Sequence, residues 1–199
     1  MMRVKVLSRR EVESGGAEGA DAVISIRSTT VAHEPGLALA LTQATRGESA
    51  RLLRLSFDDI GLAAYDRQAG PTMDQIRDAL QFARSIVEGR SLFDGPSPDP
   101  LIVVHCEHGK SRSAALAIAL MADQLGFGCE RDAVSVVLRS DVDGRAHPNP
   151  LVVSLADACL FRYGRIDEAL ADQSCRYVEW RKLWRTIALA PDRSVDGLC

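Results

Sequence analysis

The sequence predicts an α/β fold with a parallel sheet, and three observations carry that expectation. Residues 101–104, Leu-Ile-Val-Val, are a continuous apolar run of the kind shown by a strand buried on both faces. Immediately after Arg112 the pattern turns to helical periodicity. Upstream, residues 3–8, 22–26 and 51–57 read as strands separated by helix and turn signals, the alternation that produces parallel strands joined by crossover helices.

Taken in order, the first strand is followed by a Glu-rich, Gly-interrupted stretch, residues 10–19, sufficient for one or two helical turns. After the second strand, His33 has no partner in view and reads as solvated. Pro35 and Gly36 mark a turn, and residues 37–44 form a short helix. The third strand ends in Asp58-Asp59, and a loop over residues 60–71 contains Gly61, Gly70 and Pro71. Thr72 with Gln75 is a capping box that opens a helix with Ile76, Leu80, Ala83 and Val87 on its core face, closed by Gly89. Residues 90–100, rich in Pro, Gly and Asp, form a surface connector to the central strand.

Residues 112–125 are apolar on nearly every side, so this helix is the buried central one, with Gly126 at its C′ position. A helix over 130–139 turns Ala133, Val136 and Val137 inward. Asn149 and Pro150, an N-cap and a proline at the first helical position, open a helix over 151–163 that Gly164 stops. Residues 165–190 read as one long or broken helix whose stripe of Tyr177, Trp180, Trp184 and Ile187 packs on the domain, and 191–199 as a frayed end.

A chain of 199 residues suits one domain spanning 1–199, with 171–199 as a C-terminal helical extension. A net charge of −3 and the lack of any Lys/Arg block disfavour nucleic acid as a partner. The five cysteines, Cys106, Cys129, Cys159, Cys175 and Cys199, are odd in number and have no close pairs, which argues against a disulfide framework and a zinc site. No cofactor is called for. The N-terminus lacks the apolar run of a signal peptide and nothing later approaches a membrane span, so a cytoplasmic location, which keeps thiols reduced, is expected.

The chemistry concentrates in the loop between the central strand and the buried helix, His105-Cys106-Glu107-His108-Gly109-Lys110-Ser111-Arg112-Ser113. A loop entering a helix presents consecutive backbone N–H groups and makes a concave site for a phosphate-like dianion. Glu107, His108, Gly109, Lys110 and Ser111 supply its substrate-binding surface. A helix N-terminus and nearby cations favour thiolate over thiol, which makes Cys106 a nucleophile. Arg112 offers a planar fork of donors to two phosphate oxygens, where a lysine would offer a point charge. Ser113 is placed to donate its hydroxyl to the departing sulfur. Gly109 allows positive φ and close approach to a ligand, and His105 orients the loop by bonding backbone groups. Lysine occurs only at Lys5, Lys110 and Lys182, and Lys110 reads as a pocket-rim cation.

His105, Cys106, Gly109, Ser111, Arg112 and Ser113 resemble the His-Cys-x5-Arg-Ser/Thr signature of the protein tyrosine phosphatase superfamily, and the spelling H-C-E-x-G-x-S-R-S looks most like its dual-specificity branch. A weaker likeness through R-L-S-F-D-D-I, R-A-H-P-N-P, L-A-D-A and Y-G-R-I points to a bacterial subgroup of tyrosine-phosphatase-like proteins. The resemblance covers roughly residues 22–170. It implies a three-layer α/β/α fold whose four-stranded parallel sheet has the order 1-4-2-3, with helices on both faces. It also implies a hydrolase that removes phosphate from phosphotyrosine, with dual specificity as an option, through a phosphocysteine.

A leaving oxygen needs a proton donor. Asp58, Asp59, Asp66 and Asp74 are the candidates. Asp74 has the spacing to Cys106 usual in the family but sits where a helix-dipole partner is expected. Asp66 lies in a loop that would have to close as a lid. Asp58 and Asp59 lie at the carboxyl end of a strand, and the F-x-D-I pattern of the resembling subgroup places the acid at Asp59, with Asp58 second. Three alternatives stand beside a protein phosphatase. One is a phosphatase of small phosphorylated molecules such as inositol phosphates or nucleotides, favoured by His108 and Lys110. The others are a phosphate-binding module without turnover, and sulfur transfer or arsenate reduction if Cys129 or Cys159 approaches Cys106. Phosphate or sulfate is the expected minimal ligand, and the oligomeric state is left open.

Overall fold

The computed structural model describes residues 1–30, 34–89 and 99–190. The expectations for His33, for the connector as far as residue 98 and for the tail from residue 191 fall outside them. Among the described residues six strands form: β1 (Arg3–Ser8), β2 (Ala22–Arg27), β3 (Leu52–Ser56), β4 (Ala64–Tyr65), β5 (Gln68–Ala69) and β6 (Leu101–Cys106). The main sheet is parallel with the order β1-β6-β2-β3, while β4 and β5 make a separate antiparallel hairpin. Counted within its own sheet β6 is the fourth strand, so the order is the expected 1-4-2-3. The two-residue hairpin strands within the 60–71 loop had no alternating pattern long enough to announce them.

Strand parity makes the three layers, because successive side chains leave a strand on opposite faces. Leu7, Val23 and Val103 meet Val12 of α1 (Arg9–Glu13) and Leu37 and Leu41 of α2 (Pro35–Ala44) in one small cluster. Ile24, Ile102, Val104 and Cys106 face the larger core on the other side. That side is built from α3 (Met73–Glu88), α4 (Arg112–Leu125), α5 (Glu130–Ser140), α6 (Pro150–Cys159), α7 (Arg165–Gln173) and α8 (Cys175–Leu189). In α4 every residue from Arg112 to Ala122 is buried. Its alanines at 114, 115, 117, 119 and 122 let the helix lie close to the sheet and to α3, α5 and α6 at once. None of the described helices is long and apolar enough to cross a membrane.

Several boundaries and faces differ from the sequence reading, each for a local reason. Pro35 is the first residue of α2, not part of a turn, because its fixed φ suits that position. On α3, Ala79 is buried and Val87 is 37% exposed, since the apolar stripe drifts outward in the last turn. On α5, Val134 is buried and Val136 exposed. α6 stops at Cys159 instead of residue 163. Phe161 and Tyr163 follow it in the left-handed region, and Gly164 (φ 86°) caps the start of α7. The stretch 165–190 is broken at Ser174, whose extended backbone ends α7 and whose hydroxyl accepts from Tyr177 N–H at 3.2 Å to start α8. α7 thus straddles residue 171, and the terminal helix proper is α8. Its stripe packs as expected, with Tyr177 and Trp184 buried and Trp180 and Ile187 half-buried.

Asp157 of α6 completes this end of the molecule. Its two carboxylate oxygens accept from Ile166 N–H and Asp167 N–H, each at 3.2 Å, capping α7 from outside. Burial pushes its carboxyl above the ordinary range, against those two bonds. Asp157→Ala is expected to lower stability by about 1–2 kcal/mol, the value of a lost helix cap, while Asp157→Asn, which keeps an acceptor, loses less. Urea unfolding midpoints of the two variants measure this, and equal losses would contradict the capping role.

Candidate active site

The loop joining β6 to α4 is shaped by its contact with β1. Gly109 has φ 69°, and a Cβ there would lie 2.7 Å from Ser8 N and 2.8 Å from the Leu7 carbonyl carbon. The close approach that requires glycine is therefore to the end of β1, a constraint the sequence reading had assigned to a ligand. Arg9 N–H donates to Glu107 O at 3.2 Å from the same side.

Cys106 ends the central strand and is 2% exposed, with its Sγ 3.1 Å from the Ser113 Oγ in the first turn of α4. Arg112, 3% exposed, is the first residue of α4. Its Nη1 donates to Phe57 O at 2.9 Å and Ser28 Oγ at 3.1 Å, while its Nε has no partner. Ser111 occupies the N-cap position of α4 but does not cap it. Its hydroxyl instead donates to Asp59 Oδ1 at 2.6 Å. The first-turn N–H groups of a 14-residue helix are thus left facing the loop with no side-chain acceptor, an arrangement suited to an anion.

The two aspartates after β3 go to different tasks. Asp58 is buried and accepts from Thr29 N–H (3.1 Å), the Thr29 hydroxyl and Ala69 N–H (2.9 Å), which folds the 57–69 segment back on itself. Burial raises its pKa, but those bonds and the Arg112 charge outweigh it and hold the carboxyl below the ordinary range. Asp59 points to the phosphate-type loop, with Oδ1 accepting from Ser111 Oγ and, at 2.9 Å, from Asn149 Nδ2. Asn149 is fully buried and does four things: it binds Asp59, donates to Ile60 O, caps α6 through Oδ1 and donates its own N–H to Ser111 O at 3.3 Å. The sequence reading saw only the cap. Its other bonds had no local signal beyond the R-A-H-P-N-P likeness.

Of the remaining candidates, Asp66 lies exposed at the hairpin tip, and Asp74 is exposed and paired with Arg77 at 2.5 Å. His108, Gly109 and Lys110 line a cavity of about 300 Å³ shared with Val6, Glu11, Asp141 and Asp143, whereas Glu107 lines the narrow cleft at Cys106. That cleft also takes in Arg9, Arg27, Ser28 and Glu34, none of them singled out from the sequence. Cys129 follows the far end of α4, and Cys159 lies against Met73, its Sγ 3.0 Å from the thioether sulfur. Among the described residues, no second cysteine lines the Cys106 cleft, and no group of His, Cys, Asp and Glu is arranged to hold a metal ion.

His105, expected to orient the loop by bonding backbone groups, does approach the Cys106 backbone, although neither buried ring nitrogen reaches full hydrogen-bond geometry. Strand parity puts its ring on the opposite face from the Cys106 side chain, and burial, opposed by the Cys106 backbone contact and aided by the Arg112 and Arg27 charges, drives its pKa from 6.5 to about 4. It is therefore neutral at pH 7. Between about pH 6.5 and 4 the unfolded chain binds more protons than the folded one, so stability falls as pH is lowered through that window, by up to about 3 kcal/mol from this group. His105→Asn removes the titration. The stability difference between wild type and variant is expected to shift in the variant's favour from pH 7 to pH 4.5, and a constant difference would contradict burial of the neutral ring.

No protein-family model matches the sequence, and no curated protein does. Solved structures do. The chain is similar to the Cydia pomonella PTP-2 phosphatase (18% identity, TM-score 0.50, covering 79% of this chain and 86% of that one). It is also similar to Tk-PTP in its active form (17% identity, TM-score 0.50, covering 81% and 94%). With its 1-4-2-3 parallel sheet, helices on both faces and a Cys-x5-Arg loop at the carboxyl end of the central strand, the chain has the fold of the protein tyrosine phosphatase superfamily.

Proposed function

We propose that the protein is a cysteine-dependent phosphatase that hydrolyses phosphotyrosine esters, with phosphoserine and phosphothreonine as further substrates, through a phosphocysteine. One observation carries the reading. The Cys106 sulfur and the Ser113 hydroxyl lie 3.1 Å apart beside an uncapped helix N-terminus, with a buried arginine held from behind. The Cydia pomonella protein of the same fold is a phosphatase, and its activity is carried over here as part of the proposal.

In this mechanism the loop amides and the Arg112 fork bind the three non-bridging oxygens of the ester. Nε of Arg112 supplies one donor directly, and Phe57 O and Ser28 fix the plane of the guanidinium. The Cys106 thiolate attacks phosphorus and the bond to the leaving oxygen breaks, with that oxygen taking a proton from Asp59. Asp59 is anchored through Oδ1, which leaves Oδ2 to carry the proton. Water then attacks the phosphocysteine and gives its proton to Asp59. The sulfur leaves as a thiolate that receives a hydrogen bond from Ser113. No cofactor is required.

A second reading keeps this chemistry but takes a small phosphorylated molecule as substrate. His108 and Lys110, which supported it in the sequence, line another cavity. What favours it now is the polar mouth of the Cys106 cleft, where the paired charges of Arg9, Arg27, Glu34 and Glu107 outnumber the apolar Ile26 and Leu37 and suit a hydroxyl-rich body carrying one reacting phosphate better than an aryl ring. Comparing turnover of aryl phosphates, phosphopeptides, inositol phosphates and nucleotides by the purified protein separates the two.

Cys106→Ser is expected to abolish turnover while keeping affinity for phosphate-bearing ligands, because amides and Arg112 bind the anion independently of sulfur. Residual hydrolysis above background in that variant would sink the covalent route. Arg112→Lys is expected to fail in both binding and rate, since an ammonium does not reproduce the fork and leaves Phe57 O and Ser28 poorly served. Calorimetric titration with phosphate alongside steady-state rates reads both effects. Asp59→Asn is expected to cost about 10²–10⁴-fold with poor leaving groups and far less with activated ones. A wild-type dependence of rate on leaving-group pKa in that variant would place the acid elsewhere.

A further inference from the structure

The segment that carries Asp59 is held on its outer side by the C-terminal helix. The Trp184 side chain lies directly on the backbone of Gly61, two residues after Asp59. A methyl group on Gly61 would come within 2.6 Å of Trp184 Cδ1 and 2.7 Å of Cβ. Gly61 has no positive φ to require glycine, so the demand for a bare Cα comes from the tryptophan. The same ring meets Tyr65 of the hairpin edge-to-face at 5.9 Å between centroids. On its other side Trp184 meets Trp180 at 5.7 Å, and Trp180 meets His147 at 5.4 Å. His147 N–H donates to Lys110 O in the phosphate-type loop at 3.0 Å. The aromatic chain therefore runs from the Asp59 segment to the loop that holds Cys106. It is anchored at its base by Tyr177 and Arg181, which both bond Asp167.

Ordinary packing does not account for these residue types. The indole N–H groups of Trp180 and Trp184 are both buried without an acceptor, a cost that phenylalanine or leucine would avoid at a position needing only apolar volume. The side chains present are large flat rings set by edge-to-face contact. Trp184 is also one wall of a cavity of about 640 Å³ that includes Gly61, Leu62 and Leu151. The Asp59 segment therefore has space to move into if the ring is withdrawn.

We infer that Trp184 is a positioning residue for the proton-donating step: by bearing on Gly61 and Tyr65 it holds the Asp59 segment against Ser111 and Asn149. The inference rests on the reading of Asp59 as the general acid. Without the ring, Asp59 stays in the chain but loses its fixed distance to the leaving oxygen, and only reactions that need a proton suffer.

The test measures kcat/KM for a series of aryl phosphates of increasing leaving-group pKa in Trp184→Ala, Trp184→Phe, Gly61→Ala, Asp59→Asn and the Trp184→Ala/Asp59→Asn double variant. Each rate is taken relative to the most activated substrate of the same preparation, so that a change in folded fraction cancels. Trp184→Ala is expected to lose about 10- to 100-fold with the poorest leaving group, the scale of a misplaced catalytic group, and little with the most activated. Trp184→Phe recovers most of this. Gly61→Ala, which pushes the ring off from the opposite side, reproduces it. The double variant is no steeper than Asp59→Asn alone. If Asp59→Asn steepens the dependence while Trp184→Ala keeps the wild-type slope, or if the two losses multiply in the double variant, the positioning role is refuted and the acid assignment stands. If Asp59→Asn itself keeps the wild-type slope, the acid assignment is refuted and the inference with it.

Discussion

Burying the Arg112 guanidinium is the constraint around which this site is assembled. An arginine does not shed its proton, so a side chain 3% exposed must find its compensation in the protein. It does so by drawing together the exits of two strands: Ser28 after β2 and the Phe57 carbonyl after β3 both accept from Nη1, and the guanidinium charge is close enough to Asp58 to help lower that carboxyl's pKa. The strand ends are therefore bound to the start of α4 by polar contacts as well as by the sheet. The crevice at the carboxyl edge of the sheet is a consequence of the same bonds. Removing the arginine would strand acceptors that the fold has already desolvated.

The second consequence concerns Ser111. A serine at the first position before a long helix ordinarily caps it, and forgoing that bond costs about 1 kcal/mol. Here the hydroxyl is spent on Asp59, and the helix start keeps its N–H groups unsatisfied by side chains. The helix tolerates this because the remainder of α4 is buried to Ala122 and does not depend on its cap for stability. Asn149 repeats the pattern in reverse: it caps α6 fully and still has an amide left for Asp59 and Ile60 O. One well-capped helix and one uncapped helix, joined through a single carboxylate, fix the loop from both sides.

The central strand, the loop, the buried helix and the capping box at Thr72 were legible because each is encoded locally, in a run of four to fourteen residues with its own period or cap. What was not legible depends on distant partners. Asp58 and Asp59 are adjacent and chemically identical; the F-x-D-I likeness ranks Asp59 first, but the partners that divide their tasks, Thr29 and Ala69 for one and Ser111 and Asn149 for the other, have no local signal. The type of His105 announces a backbone contact, which the ring makes with Cys106, but not the burial that keeps it neutral. The end of α6 was misplaced because Phe161 and Tyr163 are apolar residues that continue a helical pattern on paper. Their left-handed backbone, which comes just before Gly164 and the Asp157 cap of α7, is not announced by residue type. Arg9, Arg27 and Glu34 lie on three separate segments, and nothing in their spacing announces a shared cleft.

Those three residues decide the electrostatics of the entrance. Arg9 bonds Glu34 and lies 3.4 Å from Glu107 and 3.7 Å from Glu13, and Arg27 reaches Glu34 at 3.5 Å. Two arginines thus face three carboxylates at separations where charges largely cancel, so the mouth is not a cationic funnel that would draw in polyanions from a distance. The uncompensated attraction lies deeper, in the uncapped start of α4 and the free Nε of Arg112. On the proposed function an anion gains its binding energy only after entering the loop, where the donors are desolvated and directional, and an anion that stops at the mouth meets carboxylates. On the same reading, selection falls on a group small and doubly charged enough to reach the base of the cleft, a requirement that the proposed phosphate monoester meets.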